Sequence, residues 1–288
     1  MKFDLKILEK ENIPKDLLEI PQPPKKLYLA GTLPEEDTIC LAVVGSRKCT
    51  TYGKDIVKKL ISGLKGYPIA IVSGLAVGID VIAHQCAIQN GLQAVAFLGN
   101  GISKEVFYPS SNWNFAEEIV NAGGCLISEF PPERKAEIYH FPMRNRLVAG
   151  ISKAVLIIEA EEKSGTLVTA RMALDYNREV LAVPGNINSP NSKGTNKLIR
   201  EGATPITCSE DILSALGFEN EDDEEKQMKL FEDLSPEEKI VVDLLLEPIE
   251  RDELIRMMKM PTQKANSILS IMEIKGLIKE ELGEIRLG

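Results

Sequence analysis

Six short apolar runs limit what this chain can fold into more than any other feature. They are "TICLAVVG" (38–45), "YPIAIVSG" (67–74), "LQAVAFLG" (92–99), "GCLISEF" (124–130), "KAVLIIEA" (153–160) and "REVLAVPG" (178–185), all rich in Val, Ile, Leu and Ala. They do not alternate apolar with polar residues, so both faces need cover, as in the interior strands of a parallel sheet. Between them lie helix-type stretches such as "YGKDIVKKLISGL" and "GIDVIAHQCAIQNG", the second ended by an Asn-Gly stop. Strand and helix alternating in this way predict an α/β fold, an extended, Rossmann-like, doubly wound and mostly parallel sheet with right-handed crossovers.

The flanks differ from this core. Residues 1–38 form a proline-rich lead-in whose "IPQPPKKLYLAGTLPEED" reads as an extended segment with an edge strand. Residues 39–217 hold the six runs, and 218–233 read as a solvated acidic linker. Residues 234–288 read as a small winged-helix-like domain. "SPEEKIVVDLLL" opens with Ser235 as N-cap and Pro236 at the first helical position, two further helical stretches follow, and "LIKEELGEIRLG" makes a hairpin around Gly283.

Net charge is −9, which taken whole argues against nucleic acid as a partner. Its distribution reverses that reading. Residues 39–217 carry 18 Lys and Arg against 16 Asp and Glu, whereas 218–288 carry 10 against 19. A basic groove in the central domain is therefore compatible with the composition.

In an open α/β sheet, ligands bind where the carboxyl ends of strands meet helix N-termini. The loops there are "GSRKCT", "SGLAVGID", "EAEEKSGTLVTA" and "PGNINSPNSKGTNKLI". They bring Gly45, Ser46, Arg47, Ser73, Gly74, Ser164, Gly165, Thr166 and Lys193 to one sheet edge. Free backbone N–H groups, small hydroxyls and the positive end of a helix dipole make an anion site. Any one such turn is also ordinary turn chemistry, and the set together is what points to a ligand.

Several function classes are disfavoured. There is no GxxxxGK[ST] loop and no complete GxGxxG, so neither a Walker-type ATPase nor a standard dinucleotide site is supported. Five scattered cysteines without a CxxC read as reduced thiols of a cytoplasmic protein, and two histidines do not make a metal centre. No metal and no cofactor is expected. No apolar stretch is long enough to span a membrane, and the N-terminus lacks a secretory pattern. Asp80 and His84 stand four apart on a helix, as a general-base pair or, more simply, as structural groups.

"FPMRNRLVAG" (141–150) poses the sharpest question: Arg144 and Arg146 lie too close in sequence to share a helix face, and both stand beside Phe141. Single-stranded DNA would offer phosphates to the arginines and bases to the ring. The alternative is that Arg144 or Arg146 pairs with an acid such as Glu129 or Glu159 to fix the sheet edge.

In order, "VVGSR", "SGLAVGIDVIAH", "YPSSN", "SEFPP", "FPMRNRLVAGIS", "EAEEKSGTLVTARMAL" and "VPGNINSPNSKGTNKLIREGA" resemble the DprA (Smf) family of DNA-processing proteins across nearly all of 39–213. The resemblance implies a dimeric, non-enzymatic binder of single-stranded DNA that protects incoming strands in natural transformation and loads RecA recombinase onto them. It places DNA contacts on Arg47, on Phe141 and on the basic loop Arg134–Lys135, with Arg144, Asn145 and Arg146 in the same motif. Where some members have a lysine after Tyr-Pro, this chain has Ser110. Many members also carry a helical N-terminal domain that 38 residues cannot hold. Residues 188–217 are apolar enough to contribute a dimer face.

Two rivals remain. "SGTLVTA" fainter resembles the phosphate loop of nucleotide phosphoribohydrolases of the lysine-decarboxylase-like family, though "EKSGTL" lacks the first glycines of PGGxGT. A winged-helix regulator is the other, but residues 234–288 have 8 Lys and Arg against 11 Asp and Glu, a poor duplex reader that suits a protein contact better.

Overall fold

In a computed structural model, which describes residues 3–218, 235–245, 249–274, 277–281 and 284–287, the chain divides into two compact units, Met1–Glu219 and Asn220–Gly288. Most of the expected acidic linker and the Gly283 turn lie outside the described residues.

The first unit is built on one nine-stranded sheet. All six apolar runs form strands: β3 (Ile39–Val44), β4 (Ile69–Ser73), β5 (Gln93–Leu98), β6 (Cys125–Ser128), β7 (Ala154–Ile157) and β8 (Glu179–Ala182). A short β9 (Thr204–Pro205) follows β8, and the lead-in supplies β1 (Leu5–Glu9) and β2 (Lys26–Gly31). The order is β1-β2-β6-β5-β4-β3-β7-β8-β9. Every pairing among β3 to β9 is parallel, while β1 on β2 and β2 on β6 are antiparallel. This is the expected doubly wound, mostly parallel α/β fold. The lead-in adds two strands to it, one more than its sequence suggested, because "LKILE" pairs with "KLYLAG" only once the hairpin closes.

Helices cover both faces. On one lie α2 (Thr51–Ser62), α3 (Ile79–Gln89), α4 (Trp113–Asn121) and α8 (Ser209–Leu216), whose Val57, Leu60, Ala83, Ile119 and Ile212 join Leu41, Ile71 and Leu156 in one core. On the other lie α1 (Lys15–Leu18), α5 (His140–Ile151), α6 (Gly165–Asp175) and α7 (Lys193–Arg200), whose Leu17, Leu147, Ala170 and Leu198 pack on Val72, Val95 and Ile157. The strands carry no polar stripe because neither face meets water.

Chain order runs outward from β3 in both directions: β4, β5 and β6 one way, β7, β8 and β9 the other. The strand order therefore reverses between β3 and β7, and the crevice beyond their carboxyl ends is where such sheets hold ligands.

The second unit has α9 (Pro236–Leu244), α10 (Arg251–Met257), α11 (Thr262–Ile274) and a three-stranded antiparallel sheet of β10 (Ile249–Glu250), β11 (Ile278–Glu281) and β12 (Glu284–Leu287), with β12 central. Ser235 caps α9: its hydroxyl accepts from Glu238 N, and the Glu238 carboxylate accepts from Ser235 N at 2.8 Å. Val241, Leu254, Leu269 and Ile285 form this unit's own core. Among the described residues no helix is long and apolar enough to cross a membrane.

Candidate nucleic-acid interface

A groove of about 550 Å³ lies beyond the carboxyl ends of β3 and β7. The turn after β3 contributes Gly45, Ser46, Arg47 and Lys48; the start of α6 contributes Lys163, Ser164, Gly165 and Thr166; α5 contributes Phe141, Arg144 and Asn145. Nine of the sequence-nominated residues thus meet in one place. Four cations (Arg47, Lys48, Arg144, Lys163) face two carboxylates (Asp80, Glu161). Ser164 caps α6, accepting from Thr166 N at 3.2 Å, so the helix opens onto the groove.

Arg47 is exposed, with its guanidinium carbon 5.6 Å from the Phe141 ring centroid. That contact holds the cation over the ring face without neutralising it. Phe141 is half-buried because Gly99 lets its ring come close: a Cβ at Gly99 would stand 2.9 Å from it. Tyr108 flanks the other side, ring centroids 5.8 Å apart.

Arg144 is 5% exposed. Its Nη1 donates to the carbonyls of Gly74 (2.5 Å) and Phe97 (2.6 Å), and its Nε to Asn145 Oδ1 (3.0 Å). Gly74 is required there, since any Cβ would lie 2.0 Å from Arg144 Nη1. Burial lowers the Arg144 pKa to about 10; Asp80 counteracts this and Arg47 reinforces it. Asp80 is itself buried, which raises its pKa against the opposing pull of Arg144 and of N–H groups from Ala76 and Gly74. The site thus keeps a buried cation with a single nearby acid and a second cation at the rim.

Arg146 goes elsewhere. Its Nη2 donates to both oxygens of Glu129 (2.6 and 2.5 Å) and its Nη1 to the carbonyl of Gln22 (2.7 Å). It ties α5 to the end of β6 and to the lead-in, and it does not line the groove. The other candidate acid, Glu159, is 2% exposed and accepts from Thr50 N (2.8 Å) and Thr50 Oγ1 (2.6 Å), at the N-terminus of α2 where a carboxylate suits the dipole.

Of the remaining nominated residues, Ser73 is fully buried and donates to the Val43 carbonyl at 2.6 Å. Gly74 lines a smaller pocket beside the groove. Arg134 and Lys135 are exposed on the loop before α5, Arg134 paired with Glu137 at 2.5 Å. Lys193 is exposed at the start of α7, and Ser110 is exposed outside both cavities. Asp80 and His84 do not pair: His84 Nε2 bonds the Val95 carbonyl at 3.2 Å, and burial pushes its pKa down to about 4. Sequence reasoning passed over Lys48, Lys163 and Tyr108. The lysines are adjacent to nominated Arg47 and Ser164, and that adjacency in strand-end loops was the available signal. Among the described residues no cluster of His, Cys, Asp and Glu suits a metal ion.

Fold and groove together define a doubly wound α/β protein with an anion-receptive, aromatic-edged switch-point site. The family described as DNA recombination-mediator protein A matches residues 4–217, and the chain belongs to it. Protein Smf of Escherichia coli K12 is 41% identical over 73% of this chain, which spans 56% of that relative's length. DNA processing protein DprA of Streptococcus pneumoniae is 40% identical over 71% of each chain. The solved structure of the pneumococcal DprA aligns with TM-score 0.69 over 74% of both chains at 39% identity. DNA processing protein A from Helicobacter pylori, whose structure is described as revealing its single-stranded DNA binding mode, aligns with TM-score 0.67 at 33% identity over 75% of this chain and 98% of its own.

Proposed function

We propose that this chain binds single-stranded DNA along the β3–β7 groove without sequence preference. One observation carries the reading: Arg47, Lys48 and Lys163 line the groove with no salt-bridge partner among the described residues, beside the Phe141 ring. Cations with an aromatic platform are how single strands are held. Ser164, Gly165 and Thr166 add N–H donors for a phosphate, and Arg134, Lys135 and Lys193 extend the path beyond the groove. The H. pylori relative's described binding mode supports the same assignment.

In this reading the protein is a cytoplasmic homodimer that protects strands and loads a RecA-type recombinase. It performs no nucleotide chemistry. Glu159 is committed to Thr50, Asp80 to two backbone N–H groups and His84 to the Val95 carbonyl, so the Asp80–His84 pair that a general-base relay would use does not form. The 235–287 unit serves as a winged-helix-like protein contact. Its Lys264, on the helix that would read a duplex, is paired with Glu237 at 2.5 Å.

The test is oligonucleotide binding, single- against double-stranded, at two salt concentrations, with the full chain and a form ending at Gly217. Single strands should bind better, and the shorter form should keep most of the affinity. A folded shorter form that loses binding would move the DNA site to the second unit. Release of base or phosphate from nucleotides, abolished by Glu159→Gln, would establish the enzyme instead.

A further inference from the structure

The positive charge of the central domain is concentrated in one stretch. Between Arg47 and Lys65 the chain carries six Lys and Arg against one acid, Asp55, while the rest of 39–217 carries 12 against 15. Arg47 and Lys48 belong to the groove. The other four, Lys54, Lys58, Lys59 and Lys65, are exposed on α2 and the turn that follows it. Gly53, Val57, Leu60 and Ile61 are the buried side of α2, so Lys54 and Lys58, one turn apart, stand on its outer face.

The surroundings leave this charge standing. The neighbouring helix α3 has a single acid, Asp80, which is buried, and its exposed Gln85 and Gln89 are neutral. Lys58 faces that side: burial raises the Cys86 pKa and Lys58 opposes the rise. Lys54 opposes the same effect of burial at Cys49, the residue after Lys48, so the stripe begins where the groove's rim ends. Lys59 lies toward α8, where it acts on Glu210. Lys54, Lys58 and Lys65 make no salt bridge among the described residues. Like charges four apart on a helix repel and cost it stability, a cost that an anion lying along them removes.

We infer, resting on the single-strand reading above, that a strand leaving the groove past Lys48 continues along the outer face of α2, its phosphates taken by Lys54, Lys58 and Lys65. Lys54 and Lys58 stand about 6 Å apart along the helix axis, so neighbouring phosphates of an extended strand can meet them in turn. A lysine offers a compact charge on a flexible stem, which suits a backbone contact that reads no base. The groove holds bases and phosphates together, whereas the α2 stripe holds phosphates alone.

Strand length is the variable that separates stripe from groove. Thymidine oligonucleotides from about 4 to about 16 nucleotides, the range of single-strand site sizes, serve as anisotropy probes over a series of salt concentrations. The triple variant Lys54→Gln, Lys58→Gln, Lys65→Gln changes only exposed side chains, and melting confirms its fold. On the shortest strand it should match the natural chain in affinity and salt dependence. On the longest, its slope of log affinity against log salt should be smaller by about 2, three phosphate contacts at about 0.7 each. A second triple variant, Lys6→Gln, Lys10→Gln, Lys25→Gln, removes the same charge from exposed positions of the lead-in and should leave both slopes unchanged. The α2 path is overturned if the stripe variant keeps the natural slope on the longest strand, or if the lead-in variant loses as much. It is equally overturned if the shortest strand loses as much as the longest, since the lysines would then act on the groove. Failure of the natural chain to bind single strands of any length would instead bring down the reading it rests on.

Discussion

Arg144 and Arg146 leave the same helix two residues apart and serve opposite sides of it. Arg144 lines the groove, bonded to two backbone carbonyls and with the buried Asp80 as its nearby acid. Arg146 points to the lead-in, its charge cancelled by both oxygens of Glu129. The same division runs along α3, where Asp80 lines the groove and His84, one turn on, is buried against Val95. One helix face lines the groove proposed for the strand, and the other ties the helix to the sheet edge and the lead-in. A short basic motif can therefore send one arginine to the groove and the other to the scaffold, and partner geometry tells them apart where spacing does not.

The largest effects should come from breaking the scaffold side. Arg146→Ala leaves Glu129 without its partner and frees the Gln22 carbonyl. Loss of one member of a buried pair costs about 3 kcal/mol, which a shifted urea midpoint would register. Under native conditions the folded variant should bind single strands nearly as the natural chain does. A stable variant with weakened binding would place Arg146 among the DNA contacts and dissolve the comparison.

His84 gives the scaffold side a pH dependence of similar size. Unfolded histidine takes up its proton near pH 6.5, while burial holds the folded group neutral until about 4. Within that window the unfolded state binds more protons, so stability falls as pH drops. The full shift corresponds to about 3 kcal/mol lost between pH 7 and pH 4. Stability curves of the natural chain and His84→Gln should diverge over this range. Parallel curves would mean that His84 titrates normally and is not sealed in the core.

How much of this was readable beforehand follows the same line. The parallel strands were legible because burial on both faces leaves a purely local signature, an unbroken run such as "CLAVV". The groove residues were legible because strand-end loops of a doubly wound sheet converge wherever the strand order reverses. The lead-in's first strand was not, since "LKILE" neither alternates strictly nor forms an unbroken apolar run, and its partner lies beyond a helical turn. Nor was the choice between Glu129 and Glu159 as partner for Arg146, because it depends on Thr50 having claimed Glu159 across 109 residues. Tyr108 had no local signal: its place beside Phe141 arises only when the β5–α4 loop folds over the sheet edge.

On the groove side the effects are smaller and fall on affinity. Phe141→Ala should weaken single-strand binding by about 1–3 kcal/mol through lost base stacking. The dependence of affinity on salt should stay as it was, since no charge is removed. Strands lacking bases should bind the two proteins almost equally. If the variant instead unfolds, the ring's packing against Gly99 and Tyr108 is core packing, and the platform belongs with the scaffold.

The smallest effect separates a groove charge from a scaffold charge directly. Arg47 is exposed, sits in the turn after β3, and leans on a ring that cannot neutralise it. Its guanidinium is thus available for one phosphate, and each phosphate neutralised on a single strand releases about 0.7 of a counterion. Arg47→Ala should therefore reduce the slope of log affinity against log salt by about 0.7, with little change in stability. Arg146→Ala, whose charge is already cancelled by Glu129, should leave that slope where it was. Equal slopes for the natural chain and Arg47→Ala would show that Arg47 serves to hold Phe141 in place, and phosphate recognition would then pass to Lys48, Lys163 and the α6 N-terminus.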